Sequence, residues 1–351
     1  MESDSPEKQK RISEKVRSII LQSSEQITQN IQVTTGRISD TKIKKIDCFT
    51  GAGGKTYVIE ATLCTALAGI IDGGIVIKFA KDLETEVENA KQLSELLKTR
   101  QIDWENWKNN YEVPHQIKRF PDQVFAPQVI HVLPEVQALI LEFLSGFTPL
   151  LQFGTEPADL WGYAGYSLAR LHGPSKKKPA NTALYKPLMK VLSRNITEEF
   201  LNYWMEILEQ SNGGVDYIHG DSHMSNILIS PGRIAWIDAI LLPGLDRMDD
   251  VAYIISHAVQ EHVARNFPYI TDYSALIHNI TRSWVPLILS TYKLTYDISQ
   301  IYSRLPLDFF LGSHLIIRAG LWEQEIAQIL TKLGQNFIYE MPISKMLEVK
   351  G

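Results

Sequence analysis

The sequence predicts an α+β chain of two lobes, a small antiparallel β-rich lobe followed by a larger, mainly helical one. Three observations predict it. IKKIDCF, TYVIEATLC and GIVIKFA are short β-branched or aromatic runs separated by glycine clusters. Most of the chain beyond Ser145-Gly146 carries helical spacing of apolar residues. A single strand–loop–strand unit, YIHGDSHMSNILISPGRIAWIDAI, interrupts that helical texture. The implied division is an N-terminal helical extension over 1–40, an N-lobe over 41–145 and a C-lobe over 146–351.

The elements follow in order. Ile12, Val16, Ile19, Ile20 and Ile27 stand between charges over 5–31, the pattern of an amphipathic helix packed on the body of the protein. The three β runs form an antiparallel meander. LETEVENAKQLSELLKTR continues as a helix, and VFAPQVIHVL and VQALILEFL each read as a further strand. WGYAGYSLARLHG and TEEFLNYWMEILEQS are helical, and long helices fill about 249–334.

Composition narrows the function. With 35 basic and 40 acidic residues the net charge is −5, so no nucleic-acid footprint is visible and a small molecule is the expected partner. Cys48 and Cys64 lack metal spacing and make no disulfide framework, which fits a reducing compartment. The start, MESDSPEKQKRISEKVRSII, lacks the apolar core of a secretory signal, and no run reaches membrane-span length. The expectation is a cytoplasmic protein without stable membrane insertion. Oligomeric state is not legible.

The stretch TGAGGKT (50–56) invites a phosphate-loop reading. A Walker loop ending in Gly54-Lys55-Thr56 needs its first glycine at 49, where Phe49 stands, and it must open a helix. TYVIEATLC alternates like a strand instead. Gly51, Gly53 and Gly54 then form a hairpin turn, or a turn whose backbone approaches phosphates.

The chemistry concentrates in HGDSHMSN (219–226) and the WID that follows (236–238). Phosphoryl transfer needs one carboxylate to accept or orient the attacking hydroxyl, and an amide oxygen with a second carboxylate to hold Mg²⁺ on nucleotide phosphates. Asp221 fits the first role; Asn226 and Asp238 fit the second. A hairpin brings both loops to one end. His219 fits a structural role, bonding the loop backbone, and His223 sits within the loop in reach of a substrate.

This pattern resembles the aminoglycoside phosphotransferase and choline kinase family, small-molecule kinases of protein-kinase-like fold. The landmarks are HGDSHMSN, WID, GLDRMDDVA (244–252) and LARLHG (168–173), in the family's order, and the resemblance covers about 40–260. Two departures stand out: Ala239-Ile240 replaces an aromatic residue and Glu, and Leu245 splits the Gly-Asp pair. The resemblance implies ATP or GTP with Mg²⁺, and a small-molecule acceptor such as an antibiotic, an amino sugar, a choline-like compound or another metabolite. It implies a phosphate-binding lysine, Lys78, on the third strand, and a glutamate on the next helix to pair with it. Glu86 shares its helix face with Ala90, Leu93 and Leu97 and is chosen; Glu88 is the alternative. It further implies that the Glu142 carbonyl and the Leu144 amide bind the base, and that Asp250 buttresses the site. Asp246, Asp249 and Asp250 also suit helix capping.

A protein substrate fits poorly, because Gly220 stands where protein kinases carry arginine and no activation segment fits between Asp238 and Asp250. The aromatic residues of 253–351 leave a cation–π box or an amphipathic pocket open. The competing class is a nucleotide-binding, pseudokinase-like regulatory protein.

Overall fold

The computed structural model describes residues 6–22, 38–51, 54–65, 69–153, 157–174, 178–267, 269, 273–296 and 305–348. Gly53, one of the candidate turn glycines, lies outside them. In chain order the elements are α1 (Pro6–Gln22), β1 (Ile38–Gly51), β2 (Gly54–Thr65), β3 (Gly69–Ala80), α2 (Leu83–Asn110), β4 (Gln123–Phe125), β5 (Val129–Leu133) and β6 (Ala138–Glu142). Then come β7 (Thr148–Pro149), α3 (Leu150–Phe153), α4 (Pro157–His172), α5 (Lys186–Leu192), α6 (Glu198–Gln210), β8 (Tyr217–Ile218), β9 (Ile227–Ser230), β10 (Arg233–Trp236) and β11 (Leu242–Pro243). Helices α7 (Arg247–Asn266), α8 (Tyr273–Asn279), α9 (Val285–Tyr296), α10 (Leu305–Ala319) and α11 (Gln324–Glu348) complete the order. The chain divides into two units, 1–94 with 126–147, and 95–125 with 148–351. Residues 95–125, placed by the sequence in the N-lobe, thus group with the second unit.

The first unit is an antiparallel sheet ordered β1-β2-β3-β6-β5. Gly51 pairs with Gly54, so the TGAGGKT stretch turns between β1 and β2, and Lys55 lies in a strand. Alternation along β3 and β6 sorts side chains to two faces. Ile77, Ala138 and Ile140 meet Val16, Ile19 and Ile20 of α1 on one face. These helix positions fall at i, i+3 and i+4, and each buried side chain contributes about 1.5–3 kcal/mol. Ala80, Leu139 and Leu141 meet Leu83, Val87 and Ala90 of α2 on the other. Helix α2 is capped by Asp82, whose carboxylate accepts from the Thr85 amide (3.1 Å) and hydroxyl (2.7 Å).

The helix predicted over 83–100 runs on to Asn110. The run VFAPQVIHVL, expected as one strand, is two strands in different sheets. Pro127 has no N–H to give a ladder, and the chain breaks around it.

The second unit carries a four-stranded sheet, β4-β10-β9-β7, and a two-stranded one, β11-β8. Helix α4 is its spine. Trp161, Ala164, Tyr166, Leu168 and Leu171 are buried, and Gly165 lets α9 come close: a Cβ there would lie 2.2 Å from the Ile288 carbonyl oxygen. Arg170 is buried too, donating to the Asp122 carbonyl (3.0 Å), the Tyr166 hydroxyl (2.5 Å) and Gln101 Oε1 (2.6 Å). Among the described residues no helix is long and apolar enough to cross a membrane.

Candidate active site

In the first unit, Val76, Lys78 and Ala80 alternate onto the face that packs against α2. Lys78 Nζ lies 2.6 Å from Glu86 Oε2, with the two side chains only 12% and 25% exposed. Glu88 points to water. At the end of β6 the Glu142 amide donates to the Gln128 carbonyl (3.0 Å) and the Glu142 carboxylate accepts from the Gln128 amide (3.2 Å). The Leu144 carbonyl accepts from Phe147 (3.3 Å), and the Leu144 amide makes no backbone hydrogen bond among the described residues.

In the second unit, HGDSHMSN links β8 to β9. Ile227 pairs with Trp236, so Asn226 just precedes β9 where Ile237 and Asp238 just follow β10. The Ile237 amide donates to the Asn226 carbonyl (3.0 Å) and fixes that juxtaposition. Asp238 adopts φ 56°, a left-handed conformation uncommon outside glycine but tolerated by aspartate. The turn after it returns to the loop, where the Ile240 and Leu241 amides both donate to the His219 carbonyl (2.9 and 3.2 Å). Gly220 has φ 77°, and a Cβ there would crowd Ile240 and Leu242 at 3.3 Å. A side chain is excluded twice, by conformation and by space.

Asp250 holds the loop from below. It lies in the first turn of α7 and is fully buried. Its Oδ2 accepts from the His219 amide (2.6 Å) and from His172 Nε2 (3.0 Å), and its Oδ1 accepts from the Gly220 amide (3.0 Å). The Ser222 hydroxyl donates to its carbonyl (2.9 Å). Burial pushes the Asp250 carboxyl up, yet the hydrogen bond from His172, the neighbouring histidines and the His219 amide hold it below the usual carboxylate value. Burial keeps His172 neutral, so it is a neutral donor to a carboxylate, with Nδ1 accepting from the Tyr292 hydroxyl (2.7 Å). Helix capping falls to Asp246 instead, whose carboxylate accepts from the Met248 amide (2.8 Å).

His219 is also neutral through burial. Its Nε2 donates to the Ile237 carbonyl (3.0 Å) and its Nδ1 accepts from the Asp221 amide (3.3 Å). Both nitrogens are engaged with backbone, so His219 shapes the loop and is not a base.

Asp221 is 29% exposed at its side chain. Its Oδ1 accepts from the Tyr253 hydroxyl (2.5 Å). Its Oδ2 accepts a longer bond from Asn226 Nδ2 (3.4 Å) and lies 3.8 Å from His223 Nε2. Burial raises the Tyr253 phenol well above its usual range, with the carboxylate adding to it, so the phenol stays a donor. Asn226 Nδ2 also donates to the Asp221 carbonyl (2.9 Å), which turns its Oδ1 the other way.

That orientation bears on a metal. Asn226 Oδ1 and the Asp238 carboxylate are oxygen donors, the kind Mg²⁺ takes in ones and twos when phosphates and water complete its shell. No group of three or more His, Cys, Asp or Glu side chains suited to a metal occurs among the described residues. Two such oxygens fit a Mg²⁺ whose remaining shell phosphates and water would complete.

Around Asp221 the structure adds Tyr253, His257, His314 and Arg318, which the sequence reading missed. Asp250, Tyr253 and His257 fall at i, i+3 and i+7, one face of α7. The His257 ring stacks on His223 (4.8 Å, 21°). His314 and Arg318, four apart on α10, both meet the Tyr253 ring, at 5.1 and 4.3 Å. The α7 spacing was a usable signal once Asp250 is placed; nothing local marks α10.

Four histidines here sit below their ordinary value of 6.5: His172, His219, His223 and His257, the last at about 3. Burial is the largest cause for each. The unfolded chain takes up protons near 6.5 where the folded chain does not. Their contribution is therefore present above that pH and lost as pH falls below it. Each histidine costs up to about 1.4 kcal/mol per pH unit in that window. Asp250 titrates lower and stays out of it. Urea unfolding is expected to show stability nearly level from about pH 7.5 to about pH 6.5 and falling from there to about pH 5.5. A His257→Phe variant is expected to flatten the slope, and a flat wild-type profile would contradict the buried neutral rings.

No family model matches the chain, and no curated protein does. Among solved structures, a choline/ethanolamine kinase family protein from Mesorhizobium loti is 13% identical with TM-score 0.45, over 87% of this chain and 91% of that one. A glucosamine kinase is 14% identical with TM-score 0.48, over 93% and 99%. A choline kinase from Cryptosporidium parvum is 15% identical with TM-score 0.41, over 88% and 90%. At such identities the assignment of chemistry rests on the geometry of the site itself.

Proposed function

We propose that this protein is a phosphotransferase that moves the γ-phosphate of ATP or GTP, with Mg²⁺, to a hydroxyl of a small molecule. The observation that carries the reading is the Asp221 carboxylate, oriented by Tyr253 and seated in one loop with Asn226, whose carbonyl accepts from the Ile237 amide just before Asp238. Oδ1 is occupied by the phenol, so Oδ2, with its weaker bond, is the oxygen that takes the acceptor's proton. As the acceptor oxygen bonds to the γ-phosphorus, the bridging P–O bond breaks and the nucleoside diphosphate leaves. Asn226 and Asp238 would hold the metal, which would supply charge neutralisation at the phosphate oxygens. Lys78, kept extended by Glu86, contacts the α- and β-phosphates. Gly51 and Gly54, paired across the β1–β2 turn, bring backbone near the phosphates, and the Glu142 carbonyl and Leu144 amide meet the base.

The test compares two lysines. Lys78→Ala is expected to lower kcat/KM for the nucleotide by about 10²–10³-fold, the size of losing one electrostatic contact to a reacting phosphate. Lys55→Ala is expected to change it less than about 3-fold, as a residue outside the reacting geometry. Equal losses would return the phosphate-binding role to TGAGGKT. Tight nucleotide binding with no turnover in the wild type would support a regulatory pseudoenzyme instead.

A further inference from the structure

Beside Asp221 lies a set of groups that neither the loop clamp nor the transfer step uses. Arg318 is central to it. The side chain is buried, 8% exposed. Its guanidinium lies 4.3 Å over the ring of Tyr253, the residue that orients Asp221. Nη1 donates to Gln260 Oε1 (2.8 Å), and Nε is buried without a partner. Arg170, buried more deeply still, also leaves Nε unpaired but places its other nitrogens on three oxygens.

Arg318 makes no ion pair among the described residues. The acids nearby are engaged elsewhere: Asp249 accepts from His314 Nε2 (2.6 Å) and Glu261 from Arg265 (3.3 Å). His223 and His257, stacked next to the carboxylate, are kept uncharged by burial, with the Arg318 charge adding to it. His223 Nδ1 is buried without a partner as well. Gln260 and the Tyr253 phenol are neutral partners, a buried cation with no anionic one is costly unless a ligand completes it, and buried polar atoms without partners need an explanation.

We propose that the acceptor is an alcohol that also carries a carboxylate, and that Arg318 binds that carboxylate while Asp221 takes the hydroxyl proton. The guanidinium offers the flat donor edge that carboxylates prefer. His223 Nδ1, buried without a partner, supplies a further polar contact. An ammonium-bearing acceptor would meet an arginine with no counter-ion and is disfavoured. The inference rests on the phosphotransfer reading and deepens it to a substrate class.

The experiment uses the full chain with ATP and Mg²⁺ and matched sets of alcohols: hydroxy acids such as β-hydroxybutyrate and glycerate, their amides, and the corresponding amino alcohols. Product formation and nucleotide consumption are measured for the wild type, Arg318→Gln, Arg318→Lys and Asp221→Ala. The expected result is a preference for the acid over its amide of about 10-fold or more, the discrimination that one desolvated charged contact gives. Arg318→Gln is expected to erase that ratio, lowering kcat/KM for the acid about 10-fold more than for the amide, and Arg318→Lys to restore part of it. A merely structural role for Arg318 would lower both acceptors together and overturn the proposal. Preference for the amino alcohols, or an acid-to-amide ratio indifferent to Arg318, would also overturn it. So would acids that are neither phosphorylated nor alter nucleotide consumption while Asp221→Ala still falls below the wild type, and the kinase reading would then stand. Equal nucleotide consumption by wild type and Asp221→Ala would instead sink the kinase reading, and this inference with it.

Discussion

Replacing Asp221 by asparagine is expected to lower the rate of phosphoryl transfer by about 10²–10⁴-fold, the range that a general base contributes. The substitution is close to isosteric. An amide oxygen still accepts from the Tyr253 hydroxyl, and Asn226 still holds the loop backbone through the Asp221 carbonyl. What disappears is the basicity of Oδ2. Nucleotide affinity is therefore expected to move less than about 3-fold, because the lost interaction forms only as the acceptor proton is transferred. Single-turnover rates and a nucleotide-binding titration on the same samples separate the two quantities. A rate within a few-fold of the wild type would remove Asp221 from the chemistry.

Asp250→Ala is expected to act through stability first. The variant strands the His219 amide, the Gly220 amide and His172 Nε2, three buried donors that now share one carboxylate. Each unsatisfied donor costs about 1–3 kcal/mol, and breaking a buried charged network costs about 3–5 kcal/mol in all. The denaturation midpoint should drop accordingly, and activity with it, since the Asp221 backbone leaves the clamped loop two residues after His219. His172→Phe removes one donor rather than the acceptor of all three and is expected to cost less. An Asp250→Ala protein as stable as the wild type would mean that the loop keeps its shape without the clamp.

Much of this was legible in the sequence because it is local. Alternation in GIVIKFA puts Lys78 on a definite face, and helical spacing separates Glu86 from Glu88. The five-residue step from Asp221 to Asn226 is a loop property, and the run to Asp238 is a hairpin property. The missed residues are the ones that tertiary packing delivers. Tyr253 reaches Asp221 only because α7 starts beneath the loop, where Asp250 takes the buttressing place that the family resemblance implied. Arg318 and His314 come from α10, more than sixty residues further on (Tyr253 to Arg318), where the sequence shows a mainly apolar helix. The break at Pro127 was readable from the missing N–H, but the assignment of its two halves to different sheets depends on β10, which pairs with β4 from far along the chain.

The most direct test of the central claim is mass-spectrometric detection of phosphate on a small-molecule alcohol after incubation with ATP and Mg²⁺, wild type beside Asp221→Ala. The account predicts a phosphorylated alcohol with the wild type, dependent on both nucleotide and metal, and essentially none with Asp221→Ala. The same phosphorylated product at the same rate from both proteins would contradict it.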